Sequence, residues 1–164
     1  TYFFFSGVIR AHGLFNTDIQ ISNLAVDIAP VFTGVLSSVI TNDIEESSLS
    51  FLSQRCKEAG LKNVKTILGK IDDPLFPKGS LDIAFSTLVY HELKHPITFM
   101  KNLRSALKPN ALVVIVDYDP KKNKEKSNVG RDWEKEFDEA GFEIVRSEKL
   151  HERDVIVILK TKAQ

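Results

Sequence analysis

The sequence predicts an α/β protein built on a doubly wound, mostly parallel sheet that ends in an antiparallel C-terminal hairpin. Three observations carry this reading. From about residue 38, short β-prone runs alternate with helical patterns, which in one sheet means parallel strands joined by crossover helices. The run "LDIAFST" (81–87) is apolar enough to be buried on both faces, as inner strands of a parallel sheet are. The last two β-prone runs are joined by a short turn near His151-Glu152 with no helix between them, so they pair antiparallel.

Taken in order, "SVITN" (38–42) is a short strand ending at Asp43. "IEESSLSFLSQRCKEAG" follows as a helix: Leu49, Leu52, Cys56 and Ala59 recur at helical spacing, acids crowd its start, and Gly60 suits its stop. "VKTIL" (64–68) and "LDIAFST" (81–87) are the next strands. His95-Pro96 opens a second helix with proline at the first helical position and an apolar stripe of Ile97, Met100, Leu103 and Leu107. "KPNA" ends that helix, and "ALVVIVDY" (111–118) is the most strand-like run of the chain. "PKKNKEKSN" (120–128) reads as a charged, solvated loop, "RDWEKEFDEAG" (131–141) as a helix closed by Gly141, and "FEIVRSEKL" and "DVIVILKTK" as the hairpin.

The bulk numbers fit a single domain over residues 1–164 with room for a core. Hydrophobic residues make up 43% and charged residues 27%, and the 22 basic side chains balance the 22 acidic ones. That balance gives no reason to expect nucleic acid or an anionic membrane as partner. The single cysteine, Cys56, excludes an intramolecular disulfide framework, fits a reducing, cytoplasmic setting, and reads as a packed thiol on its helix. The uncharged stretch from Ile28 to Asn42 is shorter than the roughly 20 residues of a membrane span. "TYFFFSGVIRAHG" lacks the basic leader and cleavage pattern of a signal peptide, and the chain begins at Thr1, not at Met. No His, Cys and Asp positions have metal-ligand spacing, so no metal is expected.

The order of these parts matches a family. "VITNDIEESSLSFL", "CKEAGLKNVKTILGKIDDPLFPKGSLDIAF", "VYHELKHPITFMKNLRSALKP", "VVIVDYDP" and "EFDEAGFEIV", in this order and spacing over residues 38–162, resemble class I S-adenosylmethionine-dependent methyltransferases of the type 11/25 kind. The resemblance implies a Rossmann-like seven-stranded sheet and S-adenosyl-L-methionine as cofactor. It places Asp43 on the cofactor ribose, Ile44 on the adenine face, and Lys70, Ile71 and Asp72 along the adenine edge. Thr87 and Leu88 would lie near the methionine part, and Tyr90, His91 and Glu92 on the substrate side, where His91 or Glu92 would serve as general base if a small-molecule acceptor must lose a proton.

Residues 1–37 depart from the family. Its glycine-rich loop after the first strand has its nearest match in "VDIAPVFTG", where Asp27 is present but Ala29, Val31 and Thr33 stand at glycine positions. Only nine residues separate "LAVDI" from "SVITN", whereas a parallel crossover needs about a dozen or more. In one reading Asp27 ends the first strand, binds cofactor, and the first strand-helix unit is truncated near 29–37. In the other, "YFFFSGVI" (2–9) is the first strand, "TDIQISNLAVDI" (17–28) the crossover helix, and "RAHGLFN" the ligand loop. The first is preferred because "VDIAP" resembles the motif and 17–28 is rich in poor helix formers. The turn carries Gly69-Lys70 where Gly-Asp is usual, and Pro109-Asn110-Ala111 where Pro-Gly-Gly is usual. Two functions follow: a methyltransferase acting on a small acceptor, or a methyltransferase-like module that has lost its cofactor and serves interaction. The apolar N-terminal segment could cover the site or pair with a second copy as a homodimer.

Overall fold

The computed structural model describes residues 2–5, 38–121, 130–150, 152 and 154–163. Seven strands form one sheet in the order β3-β2-β1-β4-β5-β7-β6. They are β1 (Tyr2–Phe5), β2 (Val39–Asp43), β3 (Val64–Leu68), β4 (Leu81–Thr87), β5 (Leu107–Tyr118), β6 (Phe142–Lys149) and β7 (Asp154–Thr161). Three helices accompany them: α1 (Glu46–Glu58), α2 (Pro96–Ala106) and α3 (Trp133–Glu139), with one short 3-10 turn at Tyr90–Glu92. β1 through β5 pair in parallel, and β7 runs antiparallel between β5 and β6, so the hairpin expectation holds.

The first strand corrects the preferred reading. Tyr2–Phe5, not "LAVDI", lies between β2 and β4, with Phe5 opposite both Asn42 and Ser86. The physical reason is reach: the chain from Phe5 to Val39 is long enough for a parallel crossover, and the chain from Asp27 to Val39 is not. Asp27 itself, the loop "RAHGLFN", His12, His151, the N-terminal segment named as a dimer face or cover, and residues 122–129 of the charged loop lie outside the described residues.

The helices form for the reasons read from their spacing. Leu49, Leu52 and Cys56 of α1 are buried, while Ala59, at the C-cap, is exposed. On α2, Phe99, Met100, Leu103 and Ala106 are buried and Ile97 is half-buried. Each large side chain buried this way contributes about 1.5–3 kcal/mol. Asp132 caps α3, its side chain accepting from the Lys135 N–H at 3.1 Å, and Gly141 leaves it at φ 84°. These faces join Val113, Ile115, Val157 and Leu159 of the sheet in one core.

β5 differs from expectation at its start. α2 stops at Ala106 and the strand begins at Leu107, so "KPNA" is a deformed strand segment instead of a separating turn. Asn110 takes φ 65° there, a left-handed conformation that Asn tolerates. Beyond it the strand alternates cleanly: Ala111, Val113, Ile115 and Asp117 are buried on one face. Asp117 is thus a carboxylate, 0% exposed, where the period asks for a hydrophobe.

Candidate functional site

Parallel strands end on the same side of the sheet, so the C-terminal ends of β2, β4 and β5 meet there, with the turns that follow them. β2 ends in Asn42-Asp43, β4 in Ser86-Thr87, and β5 in Asp117-Tyr118. Asp43 is buried, and its Oδ1 accepts from the Glu45 N–H at 2.9 Å, which turns the chain into α1. Glu45, not Asp43, is the helix N-cap, so Asp43 is more than a cap. A carboxylate offers about four lone-pair sites, so this bond does not exhaust it.

Apolar side chains flank Asp43. Ile44, next in the chain, is 50% exposed, and Ile71 is 42% exposed. Leu68, opposite Asp43 in the ladder, and Leu75 are exposed as well. The turn between β3 and β4 is closed by Lys70 N–H to Asp73 O (2.7 Å) and Asp73 N–H to Lys70 O (3.3 Å). Asp73 Oδ1 accepts from the Leu75 N–H, and the Asp72 carbonyl is held by the Asn102 amide of α2 at 2.8 Å. Asp72-Asp73 is therefore a turn pair, and the Lys70 side chain points into solvent-exposed surface.

Gly69 matters for a steric reason. Its N–H donates to the Asp43 carbonyl at 2.8 Å, and a Cβ here would lie 2.6 Å from the Asn42 side-chain nitrogen. Asn42 can occupy that corner only because residue 69 has no side chain. Its Oδ1, the Ser86 hydroxyl and the Thr87 hydroxyl are buried with no hydrogen-bond partner among the described residues. Leaving such groups unpaired costs about 1–3 kcal/mol each. Three orphaned oxygens at two strand ends flanking β1, beside a buried carboxylate, make a cradle suited to a polar ligand with hydroxyl and amine donors. Leu88, next in the chain, adopts φ 53°, and its N–H donates to Val116 O at 2.8 Å. Strained non-glycine backbone of this kind clusters at ligand sites.

The 3-10 turn splits the three residues expected on the substrate side. His91 is 4% exposed, with Nδ1 2.6 Å from Asp117 Oδ1 and Nε2 3.1 Å from Glu92 Oε1. Asp117 Oδ2 accepts the His91 N–H at 3.2 Å and its Oδ1 accepts the Tyr118 N–H at 2.7 Å. The Tyr118 ring meets the imidazole edge-on at 5.0 Å. The Glu92 side chain is 53% exposed.

Tyr90 turns the other way, and its expected substrate contact is corrected to a packing role. It is 1% exposed, packs against Trp133 and Phe137 of α3, and donates its hydroxyl to Glu136 Oε2 at 2.8 Å. Arg131 grips the same carboxylate through Nε (2.8 Å) and a terminal nitrogen (2.5 Å) and lies 4.7 Å over the Tyr90 ring. It also donates to the carbonyls of Tyr90 (2.9 Å) and His91 (3.4 Å), so it clamps the turn that carries His91. Burial, reinforced by the Glu136 carboxylate, drives the Tyr90 phenol far above its ordinary value. Burial alone would lower the Arg131 guanidinium, but its hydrogen bonds and charge pairing with Glu136 outweigh that and hold it above its ordinary value. Neither group titrates near neutrality.

Several other expectations are placed by the structure. His95 occupies the N-cap position of α2 with no side-chain cap bond. Cys56 is buried, and burial pushes its thiol up. Among the described residues, no cluster of His, Cys, Asp and Glu would hold a metal ion, and no helix is long and apolar enough to cross a membrane. Asp117, Asn42 and Ser86 were not read as site residues from the sequence. The signal for Asp117 was an acid ending a strictly alternating apolar strand, where a partner is obligatory.

Residues 23–115 match the family model described as a methyltransferase domain. No curated protein sequence matches the chain. Solved structures with the same architecture include a SAM-dependent methyltransferase from Aquifex aeolicus, with TM-score 0.75 and 18% identity, covering 96% of this chain and 81% of that one. The trans-methyltransferase CalH in complex with SAH aligns with TM-score 0.66 and 18% identity over 84% of this chain and 48% of that one. The [4+2]-cyclase SpnF aligns with TM-score 0.75 and 11% identity over 99% of this chain and 75% of that one. At these identities the likeness speaks for the fold alone, and the cyclase is a reminder that this fold hosts more than one chemistry.

Proposed function

Since the chain belongs to the class I S-adenosylmethionine-dependent methyltransferase family, we propose that it binds S-adenosyl-L-methionine at the C-terminal ends of β2 and β4 and methylates a small acceptor. The observation that carries this is the cradle of buried Asp43 with the orphaned Asn42, Ser86 and Thr87 oxygens. Asp43 would accept the ribose hydroxyls, and a charged acceptor makes such bonds worth about 1.5–3 kcal/mol each. Ile44 and Ile71 offer the exposed apolar surface an adenine ring would cover. Thr87 and the Leu88 backbone would border the methionine part. The cofactor supplies a methyl group on a sulfonium, whose displacement leaves a neutral thioether. The chain's own contribution is then positioning and, for an acceptor that carries a proton, a base at His91 or Glu92.

The rival reading is a methyltransferase-like module without cofactor. Calorimetric titration with S-adenosylhomocysteine separates the two. The proposal expects micromolar binding, about −8 kcal/mol, and at least a tenfold loss in Asp43→Ala. A folded wild-type chain that takes up no S-adenosylhomocysteine would support the module and end the enzyme reading.

A further inference from the structure

We infer that His91 and Asp117 form a buried base dyad, with His91 Nε2 taking the proton of an acceptor hydroxyl, so that the acceptor is an alcohol or a phenol. This rests on the methyltransferase reading and names the substrate class of the same site.

The argument begins with Asp117. Its position on β5 belongs to the buried apolar face, and it is 0% exposed. A carboxylate there must be fully employed. It accepts two backbone N–H groups, from His91 and Tyr118, which only an acceptor can do, and its third contact is the 2.6 Å approach to His91 Nδ1. Nδ1 must therefore carry the hydrogen. In the neutral ring that leaves the lone pair on Nε2. The two ring nitrogens also differ in outlook: Nδ1 meets a wholly buried carboxylate, while Nε2 meets the half-exposed Glu92. The basic nitrogen is thus on the side open to an incoming molecule.

Glu92 completes the proton's route. An unprotonated Nε2 cannot donate to Glu92, so their 3.1 Å contact is the arrangement of the ring after it has gained a proton. The acceptor's O–H bond breaks, its proton bonds to Nε2, and the oxygen keeps the electron pair that bonds to the methyl carbon. The C–S pair leaves with sulfur. Glu92 then receives the Nε2–H and, being half exposed, hands the proton to water. Asp117 is a positioning residue: it holds the tautomer and faces the positive ring. A thiolate or a neutral amine needs no base before attack, and a buried dyad would be idle for either. The charged and titratable groups facing the imidazole are Asp117 and Tyr118 from β5 and Glu92 from its own turn, with Arg131 reaching the His91 carbonyl.

The test uses the full chain labelled with nitrogen-15 in histidine and saturated with S-adenosylhomocysteine, followed by ring nitrogen–proton spectra from pH 5 to 9. His91→Gln assigns the signal among the four histidines. The expected neutral form is Nδ1–H with unprotonated Nε2. Asp117→Asn should shift it toward Nε2–H, and Asp117→Glu should restore it, with S-adenosylhomocysteine affinity unchanged within about threefold in both. Methyl transfer to catechol should fall at least a hundredfold in His91→Gln and decline at low pH as the ring protonates. A neutral His91 found as Nε2–H, or a spectrum unmoved by Asp117→Asn, overturns the dyad, as does transfer to benzenethiol but not catechol. Wild-type protein that binds no S-adenosylhomocysteine would instead overturn the methyltransferase reading.

Discussion

Replacing Glu136 with alanine should cost about 3 kcal/mol of stability, at the lower end of the range for breaking a buried ion pair. Glu136 and Arg131 have side chains only 13% and 11% exposed, so removing the carboxylate strands a guanidinium that water cannot fully reach. The same change takes the acceptor from the Tyr90 hydroxyl, itself inside the core. Exposed pairs such as Lys121–Glu134 give no such penalty, because solvent screens them. The assay is urea unfolding followed by Trp133 fluorescence, which reports on the neighbouring ring cluster. A 3 kcal/mol loss corresponds to a drop in melting temperature of roughly 6–12 °C for a chain of this size. Tyr90→Phe, which removes one hydrogen bond to a charged group, should cost less, about 1.5 kcal/mol. An alanine variant within 0.5 kcal/mol of wild type, on the ~1 kcal/mol scale of surface substitutions, would refute the argument that this pair is desolvated.

Two further outcomes follow from backbone geometry. Gly69→Ala drives a Cβ into the Asn42 amide, so stability should fall by about 1–3 kcal/mol and S-adenosylhomocysteine affinity with it; calorimetry and thermal melts that match wild type would show that Asn42 has room to retreat. Asn110 is exposed and left-handed, so Asn110→Gly should be neutral or slightly stabilising and Asn110→Ala should lose about 1 kcal/mol; equal melting temperatures for all three would count against the kink at the start of β5.

How much was legible depended on how locally each feature is encoded. β2, β3, β4, β6, β7 and the three helices are written in short-range periodicity and caps, and their boundaries fell within a few residues of those read from the sequence. "KPNA" was read as a turn because proline and asparagine usually break structure, but pairing with β4 carried the strand through them as a deformed segment. β1 was the harder case. "YFFF" and "LAVDI" are both β-prone, and the choice between them depends on crossover length and on which run fits between β2 and β4. The site divides the same way. Asp43, Ile44 and Ile71 were placed by strand ends and turns. The partition of Tyr90 from His91 was not readable, because a 3-10 turn sends neighbours in different directions, and Asp117 lies 26 positions from the ring it holds. Such pairs exist only once the sheet has formed.

The position of β1 has a consequence for how the chain assembles. The strand at the centre of the sheet precedes every other strand in sequence, yet its partners are β2 and β4, the latter about eighty residues downstream. During synthesis it has nothing to pair with until much of the chain has emerged, and closing so long a loop is slow. The early chain therefore spends time with a β-prone segment exposed, the condition under which chains aggregate. The last four strands need no such wait, since β4, β5, β7 and β6 join through partners that lie nearer in sequence. Maturation in this chain thus runs against the order of translation: its C-terminal half can organise first, and the residues made earliest are the ones that knit the two halves into one sheet.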